Sequence, residues 1–118
     1  QYTHGVPDPA VVSPDNWEVD LRHLEREENG QIQLDMFYDY QTNVVLYPKW
    51  QQYLRESNPP MLIVYGKNDY IFPVGGAEAY KKDVKDLEYH LFDAGHFALE
   101  SMGEEIADKI RDFLGRKV

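Results

Sequence analysis

Met61-Leu62-Ile63-Val64-Tyr65-Gly66-Lys67-Asn68-Asp69 is the stretch on which the fold turns. Its first five residues are apolar without a break and end on a glycine, as a strand buried on both faces of a parallel sheet requires. Asn58-Pro59-Pro60 ahead of it is a stop and a short rigid linker. Downstream, Gly75 and Gly76 precede a short helix at Ala77-Glu78-Ala79-Tyr80, and Tyr89-His90-Leu91-Phe92 reads as a second strand. Leu99, Met102, Ile106, Ile110 and Phe113 then recur every three or four residues, which predicts an amphipathic helix from about 99 to 114. The C-terminal half is therefore βαβα, and the chain belongs to the α/β class.

Upstream the pattern is helical. Residues 1–12, with Gly5, Pro7 and Pro9, form an irregular segment. Ser13-Pro14-Asp15 combines an N-cap serine, a proline at the first helical position and an early acid, so a helix is expected over about 14–26, carrying Trp17, Leu21 and Leu24 and ended by Asn29-Gly30. Ile32, Leu34, Met36 and Phe37 predict a second helix to about Gln41. Pro48 lacks an N–H donor and is expected to open a third helix through Trp50, Tyr53 and Leu54 to about Glu56. Two segments follow from this change of period: 1–58 helical, and 59–118 βαβα.

The 118 residues are 42% hydrophobic and 14% aromatic, enough for one globular unit. A charge of −9 speaks against nucleic acid or an anionic membrane as partner. With no cysteine there is no disulfide or thiolate chemistry. No apolar run is long enough to cross a bilayer, so a soluble, cytoplasmic protein is expected. The chain opens on Gln1 rather than Met, and it is expected to begin inside a longer polypeptide.

Strands of an open parallel sheet deliver functional groups at their C-terminal ends. Two such ends occur here: Gly66-Lys67-Asn68-Asp69 after the first strand, and Asp93-Ala94-Gly95-His96 after the second. If the strands are neighbours and parallel, Asp69 and His96 emerge on one edge within hydrogen-bond reach. A carboxylate bonded to one imidazole nitrogen fixes the tautomer, orients the ring and stabilises the imidazolium formed in turnover. His4, His23 and His90 have no comparable context. The scattered histidines and the lack of Gly-x-Gly-x-x-Gly after either strand support neither a metal nor a dinucleotide, and no cofactor is expected.

The run Pro60 to Asp69 followed by Tyr70-Ile71-Phe72-Pro73 resembles the seventh strand and acid loop of the α/β-hydrolase superfamily. Asp93-Ala94-Gly95-His96-Phe97-Ala98-Leu99-Glu100 resembles its eighth strand end and histidine loop. Gln33 to Val44 is similar to the later part of the helical cap of epoxide hydrolases and haloalkane dehalogenases, which is inserted between the sixth and seventh strands. The resemblance implies a partial α/β-hydrolase fold: a cap-like segment at 1–58 and the last βαβα of the core at 59–118. It also implies Asp69 as triad acid and His96 as general base. Tyr38 and Tyr40, in the cap-like stretch, would then be substrate-binding hydrogen-bond donors, Tyr38 ahead of Tyr40.

The departure from that family lies in the nucleophile. No Gly-x-Ser-x-Gly occurs, no strand–turn–helix supplies a nucleophilic Asp, and Ser13, Ser57 and Ser101 sit in cap, linker and helix-start contexts. The nucleophile and oxyanion donors are expected in a part not contained in this chain, and the chain alone is expected to be inactive. The expected substrate of the whole protein is small and apolar; a serine esterase with the same acid and base, or a non-catalytic interaction module, are the alternatives. The strand at 61–65 holds no charge or proline to protect an edge, so a homo-oligomer formed through it is also expected.

Overall fold

The computed structural model describes residues 1–117; Val118, the last residue of the segment 59–118, lies outside them. A 3-10 turn at Pro9–Val11 precedes three α-helices, α1 (Pro14–Leu24), α2 (Asn29–Asp39) and α3 (Gln41–Ser57). Strand β1 (Met61–Gly66), helix α4 (Val74–Glu78), a 3-10 turn (Ala79–Lys82), strand β2 (Leu87–Phe92) and helix α5 (Ala98–Lys117) follow. The strands pair in parallel, from Met61 opposite Leu87 to Gly66 opposite Phe92. This is a partial α/β fold whose sheet has two strands. Among the described residues no helix is long and apolar enough to cross a membrane.

The start of α1 follows its sequence signals. Ser13 Oγ accepts the Asp15 N–H, with Pro14 in the first turn. The Asn29-Gly30 pair, expected to end that helix, instead opens α2. Glu28 turns the chain in the left-handed region, at φ 65°, and buried Asn29 donates from Nδ2 to the His23 carbonyl at 2.8 Å. That bond satisfies one of the carbonyls a helix end leaves open. The pair is therefore a two-sided joint.

Pro48 also departs from expectation, lying inside α3 rather than at its start. It gives up the backbone bond to Val44, and an interior proline costs about 3 kcal/mol; the helical residues on both sides keep the helix continuous. Asn58, left-handed at φ 39°, ends α3, and its Oδ1 accepts the Lys85 N–H at 2.7 Å. Arg55 pairs with buried Asp83 at 2.7 Å. Two polar ties thus fasten the end of α3 to the turn before β2.

The expectation that β1 is buried on both faces is not met: Met61 to Tyr65 are all half-buried. A strand with a single neighbour has one edge uncovered, and the layers over this small sheet are thin. Val64 shares a cavity with Ile106 and Ile110 of α5, whereas Met61, Leu62 and Ile63 line another with Ala77 of α4, and Tyr65 lines both. Among the described residues the buried apolar side chains are Val6 and Val12 of the N-terminal segment, Ala77 of α4, Val84 before β2, Ala94 after it, and Ile106 and Phe113 of α5. The small core is thus spread around both faces of the sheet rather than gathered in one layer. Helix α5 breaks step at Met102, where φ is −131°.

Ile106, 1% exposed, is the largest fully buried side chain. Ile106→Ala should lower unfolding stability by about 2–5 kcal/mol, against roughly 0.5–1.5 kcal/mol for Ile106→Val. Urea unfolding of the two variants checks this ordering.

Candidate active site

Asp69 stands three residues past the end of β1 and His96 four past the end of β2. The register that sets Gly66 opposite Phe92 starts both loops at one level of the sheet. Backbone bonds then hold the loops together, from Lys67 N to the Phe92 carbonyl at 2.9 Å and from Asn68 N to the Ala94 carbonyl at 3.0 Å. His96 Nδ1 lies 2.9 Å from Asp69 Oδ2, within strong hydrogen-bond range. With Nδ1 carrying the proton toward the carboxylate, Nε2 is the nitrogen left to accept one.

Asp69 is buried, and its environment is built for the charged form. Oδ1 accepts the N–H groups of Ile71 at 2.8 Å and Phe72 at 3.0 Å. Burial pushes this carboxyl up, but the Phe72 N–H, the His96 ring and the Ile71 N–H outweigh it, so its pKa lies below the ordinary value. Bonds to the ionised form favour that form. The Tyr65 hydroxyl donates to the Phe72 carbonyl at 2.8 Å and stands 3.4 Å from Asp69 Oδ2. Burial first, and then the Asp69 charge, raise the Tyr65 pKa, which keeps the phenol a donor.

Two aromatic rings flank the imidazole, Phe97 at 4.8 Å and Phe72 at 5.3 Å between centroids. Asp69 and His96 open on a cavity of about 370 Å³ with an apolar wall of Val64, Leu99, Ile106 and Ile110. A second cavity, about 800 Å³, lies on the other side of β1 and shares Tyr65 with the first. Tyr40 lines this second cavity, and its hydroxyl is 2.8 Å from that of Tyr47. Tyr38 is 76% exposed on α2 and lines neither cavity. The structure therefore brings Asp69 and His96 together, sets Tyr40 on an adjoining wall and leaves Tyr38 apart.

Ser13 caps α1, Ser57 Oγ donates to the Tyr53 carbonyl at 2.7 Å, and Ser101 Oγ is buried in α5 with no hydrogen-bond partner among the described residues. None is bonded to His96. Sequence reasoning missed Tyr65 and the aromatic pair Phe72 and Phe97. Tyr65 was legible as a strand-end tyrosine four residues before the acid, but nothing linear shows that its hydroxyl closes the loop on Phe72.

The depressed Asp69 pKa fixes a pH dependence. A carboxylate whose folded pKa lies below its unfolded value of about 3.9 contributes stability that is fully present above that value. That contribution is lost as pH falls through the folded pKa. Asp69→Asn should therefore be less stable than the parent chain at pH 7, with the gap closing below about pH 4. Equal gaps at pH 7 and pH 3 in urea unfolding would mean that the carboxylate charge contributes nothing.

Residues 15–101 match the model of a family described as alpha/beta hydrolase fold. The chain is 46% identical over 110 residues to a Saccharomyces cerevisiae protein described as an uncharacterized hydrolase, a match covering 93% of this chain and 38% of that protein. The chain thus spans less than two fifths of the length of the curated relative it matches. No solved structure matches it. A family match over most of the chain, the parallel β1–β2 pair and the extensive identity agree: the chain belongs to the alpha/beta hydrolase fold family.

Proposed function

We propose that this chain supplies the acid, Asp69, and the general base, His96, of a hydrolase of the epoxide hydrolase or haloalkane dehalogenase type. The observation that carries the reading is the 2.9 Å bond from His96 Nδ1 to an Asp69 carboxylate already held by two backbone N–H groups. In this reaction a carboxylate nucleophile, outside this chain, attacks a substrate carbon and forms an ester, while the carbon–halogen bond breaks to release halide or the epoxide C–O bond opens to an alkoxide that takes a proton from a hydroxyl donor. His96 Nε2 then takes a proton from water as the water oxygen attacks the ester carbonyl, and Asp69 stabilises the imidazolium. Collapse of the tetrahedral intermediate expels the product oxygen, frees the carboxylate and returns the proton.

The apolar cavity wall and the two rings beside His96 favour a small apolar substrate. Residues 1–58 form the cap-like segment in this reading and 59–118 the end of the core. Tyr40 is the better placed substrate-side hydroxyl, because it lines the cavity next to Tyr65 and Phe72. A nucleophile supplied by another part of the whole protein accords with Ser13 and Ser57 bonded to backbone groups, with Ser101 buried in α5 and not bonded to His96, and with the 38% coverage of the relative.

In the complete protein, His96→Ala should reduce turnover of epoxide or haloalkane substrates by roughly 10²–10⁴-fold. The 118-residue chain by itself should hydrolyse aryl esters, epoxides and haloalkanes no faster than buffer. Activity in the isolated chain that vanishes with His96→Ala would refute the division of the triad.

The chain on its own should also self-associate as a two-fold dimer through the free edge of β1, whose run Met61 to Tyr65 carries no charge or proline. Sedimentation equilibrium over a wide concentration range tests this, and a strict monomer throughout would refute it.

A further inference from the structure

The strand pairing ends at Gly66 and Phe92, yet Asp69 and His96 lie beyond it. Past the sheet the loops share two backbone bonds, from Lys67 N–H and Asn68 N–H, and a third segment of chain is packed against both. Gly5, at φ 82°, has a backbone that L side chains rarely adopt, and a Cβ on it would lie 2.7 Å from the Asn68 carbonyl oxygen. A Cβ on Gly95 would run into the His4 carbonyl, and one on Gly66 into the carbonyls of Gly95 and Ala94. The three glycines therefore let three backbones stack directly: the acid loop, the histidine loop and the N-terminal segment.

Asn68 crosses this stack. Its Nδ2 donates to the Gly5 carbonyl at 2.8 Å and to Asp93 Oδ1 at 2.8 Å. A primary amide has two N–H donors, so its donor capacity is used in full. Its own backbone N–H goes to Ala94. One residue thus touches all three segments, directly beside Asp69 in the chain. The N-terminal segment also reaches the residues that follow the acid and the base. The His4 ring meets Tyr70 edge-on at 4.4 Å, and the Tyr2 ring stacks on Phe97 at 4.2 Å.

We propose that Asn68 is a positioning residue, which locks the segment Tyr2–Val6 across the acid and histidine loops and so sets the Asp69–His96 hydrogen bond. This role rests on the reading of Asp69 and His96 as acid and base. Asn68 touches no reacting atom; it acts through the loops. Asp cannot replace it, because a carboxylate offers no donor to Gly5 and repels Asp93. Asp93→Asn is tolerated, because the amide oxygen still accepts from Asn68.

The test is the proton NMR signal of His96 Nδ1–H in the 118-residue chain, which lies downfield and exchanges slowly while bonded to a carboxylate. It is assigned by its loss in His96→Ala. Asn68→Ala and Asn68→Asp should each weaken the signal several-fold or abolish it, and Asp93→Asn should keep it. The double variant Asn68→Asp with Asp93→Asn rebuilds the 68–93 bond in reverse and should restore part of the signal, which recovery of bulk packing alone would not do. Far-UV circular dichroism monitors folding. Where an Asn68 variant does not fold, Asp93→Ala, which removes the bonds to Asn68 and Lys67, and Tyr2→Ala, which removes the stack on Phe97 together with contacts to Trp17 and Asp20, should weaken the signal to a smaller extent. An unchanged signal in every folded variant overturns the proposal. Failure of the catalytic reading shows separately, as full activity of His96→Ala in the complete protein.

Discussion

The parallel pairing of β1 with β2 is the constraint from which the rest of the molecule follows. Parallel strands need a crossover, and here the acid loop, α4 and the 3-10 turn carry the chain from the top of β1 back to the bottom of β2. Both strands therefore point the same way, and both following loops leave the same edge. With Gly66 opposite Phe92, Asp69 and His96 are each only a few residues beyond the last paired position. A shift of one residue would invert the side chains of one strand and separate the two loops.

Past that edge, order is maintained by polar groups with few alternatives. The Asp69 carboxylate faces two backbone N–H groups and an imidazole, with a phenol close by, so burial does not neutralise it. Burying an uncompensated carboxylate would be costly, and the bonds offset that cost only in one loop conformation. The same bonds that make Asp69 a stable anion thus also shape residues 69–72. Aromatic rings on either side then limit how far the His96 ring can turn.

Elsewhere the chain is thinly packed. Leu34, Met36, Phe37 and Val45 on α2 and α3 are more than 60% exposed, which would be unusual for the finished surface of a globular unit. The free edge of β1 and the open cavities on its two faces point the same way. These features accord with a chain that covers 38% of its yeast relative. The helical half is tied to the βαβα half by a few polar pairs, Arg55 to Asp83, Asn58 to Lys85, and Asn16 of α1 donating to Glu100 of α5, and by apolar contacts of the N-terminal segment such as Tyr2 on Phe97.

Much of this was legible in the sequence because it depends on near neighbours. The apolar run at 61–65 and the period of α5 are statements about local periodicity, and the Ser13-Pro14 start of α1 is a capping pattern. The loop residues Asp69 and His96 followed from where parallel strands must end. Asn29-Gly30 and Pro48 misled because a single-residue signal is overridden by its surroundings, a bond to the His23 carbonyl at the first and helical residues on both sides at the second. Tertiary structure alone decided that the irregular residues 2–6 lie across both loops, that Gly5 and Gly95 must lack side chains, and that Tyr40 lines the cavity with Tyr65 and Phe72 while Tyr38 is exposed. The physical reason is distance along the chain. Asn68 and Gly5 are 63 residues apart, and no local rule of periodicity or capping carries information over that separation.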